Sequence, residues 1–301
     1  MYLGRKGGVL NPKPKQISIG GTYSGAIALG DLNADGKLDM VVVNNAFANF
    51  SVALGKGNGT FDKPIVYSSG LSGADAVAIG DFNHDGKQDL AVAGYNAVAI
   101  FFGKGDGTFQ PGGIYNVGFV PMWIASGDFN RDGALDLAIS NVGSSNVSVL
   151  LGNGDGTFKA AKNYRVKNAG QVISADLNHD GILDLVVTNG NSLAVFFGNG
   201  DGTFRPGKAI PVAASQVTAL DVNGDGNIDL AFTTVGGLGV CLGNGDGTFQ
   251  KSLNFLGGNN PNFLDVADFD RDGKLDVVVT GASGIAGGAQ SLTILLNKTT
   301  P

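Results

Sequence analysis

Aspartate-rich nonapeptides recur six times along the chain. The first is Asp31-Leu-Asn-Ala-Asp-Gly-Lys-Leu-Asp39; DFNHDGKQD follows from Asp81, DFNRDGALD from Asp128, DLNHDGILD from Asp176, DVNGDGNID from Asp221 and DFDRDGKLD from Asp268. Their starts lie 50, 47, 48, 45 and 47 residues apart. The shared pattern is D-x-[ND]-x-D-G-x-x-D. Side-chain oxygens at positions 1, 3, 5 and 9 of a short turning loop are what a hard, oxygen-seeking cation requires. Glycine at position 6 permits the sharp turn, and position 7 can offer its carbonyl. Crowding three or four carboxylates together is costly without a neutralising ion. The chemistry expected of each loop is therefore calcium binding, about six ions in all.

Two other readings of the nonapeptide compete with this one. A solvated Asp-rich turn explains one copy but not six, each keeping its acids and glycine while positions 2, 4 and 8 vary. An EF-hand needs a glutamate at position 12 and flanking helices. Position 12 of the first loop is Val42, and the chain has no glutamate.

Catalytic chemistry finds little to work with. The only histidines, His84 and His179, occupy position 4 of two of the loops, which reads as a solvent-facing place. No G-x-S-x-G elbow or H-E-x-x-H helix is present. Asp106, Asp155, Asp201 and Asp246 repeat as turn residues, leaving Asp62, Asp75 and Asp265, with Arg165 and Arg205 as conceivable partners. Nothing in the sequence brings these together, so no catalytic residue is expected. Cys241, the single cysteine, lies in an apolar strand segment and reads as an inert buried thiol.

The elements that must position the loops are short and β-prone. In the second repeat, Ala76–Ile79 enters the loop, Leu90–Ala93 leaves it, Ala97–Phe102 follows, and Gly113–Val117 comes after a turn. No stretch keeps a helical apolar period. That turn is itself a second repeated motif, G-[NK]-G-[DN]-G-T-F, at Gly55, Gly103, Gly152, Gly198 and Gly243. No helix pattern follows it, so it reads as a hairpin turn with a phenylalanine wedged between neighbouring sheets, not as a phosphate loop. Four strands in each of six repeats predict an all-β chain: a six-bladed β-propeller of four-stranded antiparallel blades. The repeats run over about 22–68, 72–117, 120–166, 169–212, 215–256 and 260–297, within a single domain spanning 1–301. Residues 1–10 look like a worn copy of LGNGDGTF, and the last repeat stops after three strands. A strand at 15–20 would complete that last blade and close the ring.

Composition agrees with this reading. All 26 acidic residues are aspartate, and 19 of them lie in the loops, so the formal charge of −6 is largely a ligand inventory. Six divalent ions would carry it to about +6. The 20 basic residues form no long run suited to nucleic acid. No segment approaches membrane-spanning length. Calcium loops of this kind fill at the millimolar level found outside cells, which predicts a secreted or cell-surface location, possible as a monomer, with any signal peptide lying outside these 301 residues.

The paired motifs, Asp-rich loop plus L-G-N-G-D-G-T-F, resemble the FG-GAP/VCBS repeats of bacterial secreted proteins and are similar to the calcium-bearing blades of the integrin α-subunit propeller. The resemblance covers essentially the whole chain. It implies a ligand set of Asp31, Asn33, Asp35, the Lys37 carbonyl and Asp39 in the first blade. The matching sets are Asp81, Asn83, Asp85, Lys87 and Asp89; Asp128, Asn130, Asp132, Ala134 and Asp136; and Asp176, Asn178, Asp180, Ile182 and Asp184. The fifth and sixth are Asp221, Asn223, Asp225, Asn227 and Asp229, then Asp268, Asp270, Asp272, Lys274 and Asp276. It also implies a partner surface opposite the calcium edge, and no single activity. Six blades with a loop in each depart from the integrin pattern, which puts an integrin-like partner in doubt.

The loops expected on that opposite surface diverge most between repeats. Tyr23, Phe47, Tyr95, Phe119 and Trp123 place aromatic rings beside amides in the first three blades, a combination suited to a glycan or an extracellular protein ligand. The bland reading is that these rings only pack between blades. Three functions stand: a binding or adhesion module, a polysaccharide lyase or hydrolase (or the accessory domain of one) with a site over the central channel, and a spacer.

Overall fold

Strands that are buried on both faces set the architecture. In the computed structural model, which describes residues 4–5, 9–10, 17, 24–257, 261–281 and 291–298, two short strands, β1 (Gly4–Arg5) and β2 (Val9–Leu10), pair antiparallel near the N-terminus. The first sheet then holds β3 (Ser24–Gly30), β4 (Asp39–Asn44), β5 (Asn49–Ala53) and β6 (Ile65–Ser68). The second holds β7 (Ala76–Gly80), β8 (Asp89–Gly94), β9 (Ala97–Gly103) and β10 (Phe109–Asn116). The third holds β11 (Pro121–Gly127), β12 (Asp136–Asn141), β13 (Asn146–Leu150) and β14 (Lys162–Arg165). The fourth holds β15 (Val172–Ala175), β16 (Asp184–Thr188), β17 (Leu193–Gly198) and β18 (Phe204–Pro206). The fifth holds β19 (Val217–Leu220), β20 (Asp229–Thr234), β21 (Gly237–Cys241) and β22 (Leu253–Leu256). The sixth has three strands, β23 (Pro261–Ala267), β24 (Asp276–Gly281) and β25 (Ser291–Leu295).

This is an all-β, six-bladed propeller fold with antiparallel blades, four-stranded except the last. A 3-10 turn at Asn45–Phe47 is the one helical element among the described residues. The proposed closing strand at 15–20 falls outside the described residues except for Ile17, which packs beside Met40, Val42 and Ala53.

The second strand of each blade explains itself. β4, β8 and β12 are buried along their whole length, so they read as runs such as Met40-Val-Val-Val and Leu90-Ala-Val-Ala without alternation. Outer strands such as β6 are mostly exposed. The chain forms two compact units, one of Lys15–Val172 with Gly200–Thr203, the other of Ile173–Asn199 and Phe204–Pro301 with the N-terminal stretch. In the first, Val41, Phe50 and Val52 of one blade pack on Val92, Phe101 and Phe109 of the next. In the second, Val186, Val195 and Leu230 share a cluster with Phe232 and Cys241, whose thiol is buried as its apolar strand predicts.

Antiparallel order makes the chain alternate ends. The Asp-rich loop lies at one end of each sheet, joined there by the glycine turn in the first five. The hairpin between second and third strands, and the connector to the next sheet, lie at the other.

Candidate metal loops and the opposite face

Each Asp-rich loop is wound around its own side chains. In the first, both oxygens of Asp31 accept backbone N–H groups, from Asp35 at 3.1 Å and Gly36 at 2.8 Å. Asn33 Oδ1 accepts from Asp35 N, and Asp35 Oδ1 accepts from Lys37 N. Gly86, Gly133, Gly181, Gly226 and Gly273 repeat the bond to the position-1 carboxylate at 2.9, 2.9, 2.9, 2.8 and 3.0 Å. Position 4 pays for this winding in backbone strain: Ala34, His84, Arg131, His179 and Arg271 all sit at φ between 56° and 63°, and only the fifth loop has a glycine there, Gly224.

The ninth residue does a different job. Asp39, Asp89, Asp136, Asp184, Asp229 and Asp276 are fully buried. One oxygen accepts from the second loop residue, as in Asp89 Oδ2 with Phe82 N at 3.1 Å. The other accepts from the end of the third strand: Gly55, Gly103, Gly152, Gly198 and Gly243 donate at 2.6 to 2.9 Å, and Asn297 does so in the sixth blade at 2.8 Å. The carboxylate thus ties loop to third strand. The glycines are required by closeness at this point, because a Cβ on Gly103 would lie 2.1 Å from the Gln88 carbonyl oxygen and one on Gly55 2.0 Å from that of Leu38. Position 2, which varies in identity, is apolar in every copy: Leu32, Phe82, Phe129 and Leu177 are core side chains.

The carboxylates of one loop titrate apart. Burial pushes Asp136 and Asp184 up to about 6, and raises Asp89 and Asp229. At position 5 the direction reverses: the Lys37 ammonium holds Asp35 low, and the Ala134 and Asn227 amides do so for Asp132 and Asp225. The second oxygen at position 5 has a donor too. Lys37 and Lys87 supply it at 2.9 and 3.2 Å, and Asn130, Asn178 and Asn223 supply it from position 3.

Do these residues fit a divalent ion? In the sixth loop Asp268, Asp270 and Asp276 each offer a carboxylate oxygen within 4.8 Å of the others. A cation already stands beside them, since Lys298 Nζ contacts Asp270 Oδ2 at 2.5 Å and Asp272 Oδ2 at 3.4 Å. An all-oxygen donor set that draws an ammonium is one a hard ion fits. His84 and His179 are exposed, and each also reaches the following blade: His84 Nε2 lies 3.1 Å from the Gly133 carbonyl, and His179 Nε2 lies 3.2 Å from Asn227 Oδ1.

On the opposite face, Tyr95 and Phe119 meet edge to face with centroids 4.8 Å apart, about half exposed. Their backbones are locked together. Val120 N donates to the Tyr95 carbonyl at 2.6 Å, Gly143 N to the Phe119 carbonyl at 3.0 Å, and Ser144 Oγ accepts from Phe119 N at 2.6 Å. Val120 holds φ at +55°, an unusual conformation for a β-branched residue. Phe47 is exposed on the 3-10 turn, and Trp123 is half-buried in β11 opposite Ser140. Neither joins the Tyr95–Phe119 pair in a ring contact among the described residues. Tyr23 lies outside the described residues. Beneath the hairpins, Asn44 and Asn141 are buried with their amide nitrogens bonded to Asn49 and Asn146, and with no donor for either Oδ1. Of the three aspartates outside the loops and turns, Asp62 pairs with Lys56, Asp75 accepts from the Asn45 amide, and Asp265 accepts from Val266 N.

The FG-GAP-like repeat model matches the chain over residues 31–92, 81–139, 128–187, 176–232 and 221–279. The protein belongs to the FG-GAP-like repeat family. Each match begins at the first aspartate of one loop and ends in the second strand of the next blade. No curated protein matches the sequence significantly. Among solved structures, this FG-GAP chain is similar to an Agrocybe aegerita lectin described as recognising non-reducing terminal N-acetylglucosamine. The two share 21% identity with a TM-score of 0.62, over 93% of this chain and 82% of the lectin. A BBS1 fragment in complex with ARL6 gives 0.63 at 13% identity, over 92% of this chain and 82% of the fragment. A Lactobacillus plantarum protein gives 0.61 at 15%, over 91% and 84%. At these identities the likeness shows the fold.

Proposed function

We propose that this FG-GAP propeller is an extracellular recognition module, stabilised by calcium, that binds a glycan through the loops opposite its Asp-rich edge. The observation that carries the reading is the Tyr95–Phe119 pair, two exposed rings fixed by a strained Val120 and a cross-blade hydrogen-bond network. Strain is retained where surroundings over-determine it, which is common at ligand sites. Exposed ring faces beside Asn96 and Ser144 offer stacking and hydroxyl recognition together. That one similar fold is a lectin and another is solved with a protein partner agrees with a binding role. Calcium would be held by the loop oxygens named above and would add charge neutralisation at the opposite edge, with no catalytic part.

The test is a glycan and cell-wall polymer screen in millimolar calcium, followed by Phe119→Ala and Trp123→Ala. Phe119→Ala should weaken the best hit at least tenfold, since stacking by one ring contributes about 1.5 kcal/mol. Unchanged binding in both variants would place the ligand elsewhere.

A further inference from the structure

The repeats place an aromatic residue six positions after each turn phenylalanine: Tyr67, Tyr115, Tyr164 and Phe255. In the fourth repeat the same place holds Ile210. Tyr67 and Tyr115 each cover the phenylalanine of the following blade. Tyr67 meets Phe109 at 6.1 Å, Tyr115 meets Phe158 at 5.4 Å, and both phenylalanines are under 8% exposed. Phe249, which Ile210 must cover, is only half-buried. Beside it opens a groove of about 920 Å³, against about 480 Å³ at the Tyr115 junction. Phe255 and Asn254 of the outer strand β22 line it, with Lys208 and Lys251. No carboxylate lines the groove, and neither lysine forms an ion pair among the described residues.

We infer that this groove between the fourth and fifth blades is a second binding site, for an acidic saccharide. Its volume suits a ligand of a few sugar rings. Phe249 and Phe255 supply apolar surface for ring faces, Asn254 an amide for hydroxyls, and the two unpaired lysines complement a carboxylate. The site lies wholly in the second unit and is independent of the Tyr95–Phe119 loops.

The full chain, in constant millimolar calcium, is titrated by NMR and calorimetry with trigalacturonate and with a hyaluronan tetrasaccharide. Each is run beside its carboxyl-reduced neutral form. At least one acid should bind, and its neutral form should bind at least tenfold more weakly. Ile210→Tyr installs the residue of three sister repeats and should abolish the binding by filling the groove. Lys208→Gln with Lys251→Gln, both surface changes, should weaken it at least tenfold. Phe119→Ala should leave it unchanged, which separates this site from the opposite-face reading. Binding by neither acid, equal binding of acid and neutral form, or full binding by Ile210→Tyr would each overturn the assignment.

Discussion

Position 4 of the Asp-rich loop offers the cleanest measurement on a single residue. Ala34 holds φ at +58° and Gly224 at +76° in equivalent places, and a Cβ on Gly224 meets nothing within 4 Å. Only backbone conformation separates them, so Ala34→Gly should raise stability by about 1 kcal/mol and Gly224→Ala should lower it by about as much. Urea denaturation of the two variants checks both signs at once. The buried ninth aspartates give a second expectation. With folded-state values of about 6 against about 3.9 when unfolded, Asp136 and Asp184 stabilise the fold most fully below pH 4. That contribution is lost as pH rises through 6. In chelator, therefore, the protein should melt higher at pH 5 than at pH 7.5, and Asp184→Asn should flatten the dependence. A melting temperature that falls towards pH 5 would contradict it. The acids and the glycine of each loop were legible because they repeat. The left-handed fourth residue was not, since Ala, His and Arg carry no mark of that conformation.

At the level of strands, the turn phenylalanine is the joint between blades. Phe158 packs against Phe82 at 5.8 Å and against Tyr115, both from the preceding blade. Phe158→Ala should cost about 3–5 kcal/mol, read as a shift in the denaturant midpoint. Tyr164→Phe on the exposed outer strand should cost far less. The strands themselves were readable from apolar runs between Gly and Asp turns, and the wedge role of the phenylalanine from its fixed place after G-T. What the sequence concealed was contact between separate motifs, within a repeat or between repeats. The bond from Gly103 to Asp89 joins residues 14 apart whose spacing looks like two unrelated motifs. The Tyr95–Phe119 pair joins rings that share no repeat position. The position-2 side chain could have been found, because every copy is apolar there.

For the molecule as a whole, metal should decide how stable the chain is. If calcium binds with Kd about 0.1–1 mM at about 1 mM, mass action would contribute roughly 0.4–1.4 kcal/mol per site. Six such sites would add several kcal/mol, a large share of a domain's net stability. Adding EGTA should lower the melting temperature by several degrees or more, and calcium should restore it; identical thermograms would remove the ion from the account. One further consequence comes from the buried aspartate that grips both the start of its loop and the end of its third strand. Both partners of Asp39, Leu32 and Gly55, belong to the same stretch of 24 residues. Every copy of the unit thus carries its own fastening, so gene duplication can lengthen or shorten such an array one cassette at a time without inventing a new clasp.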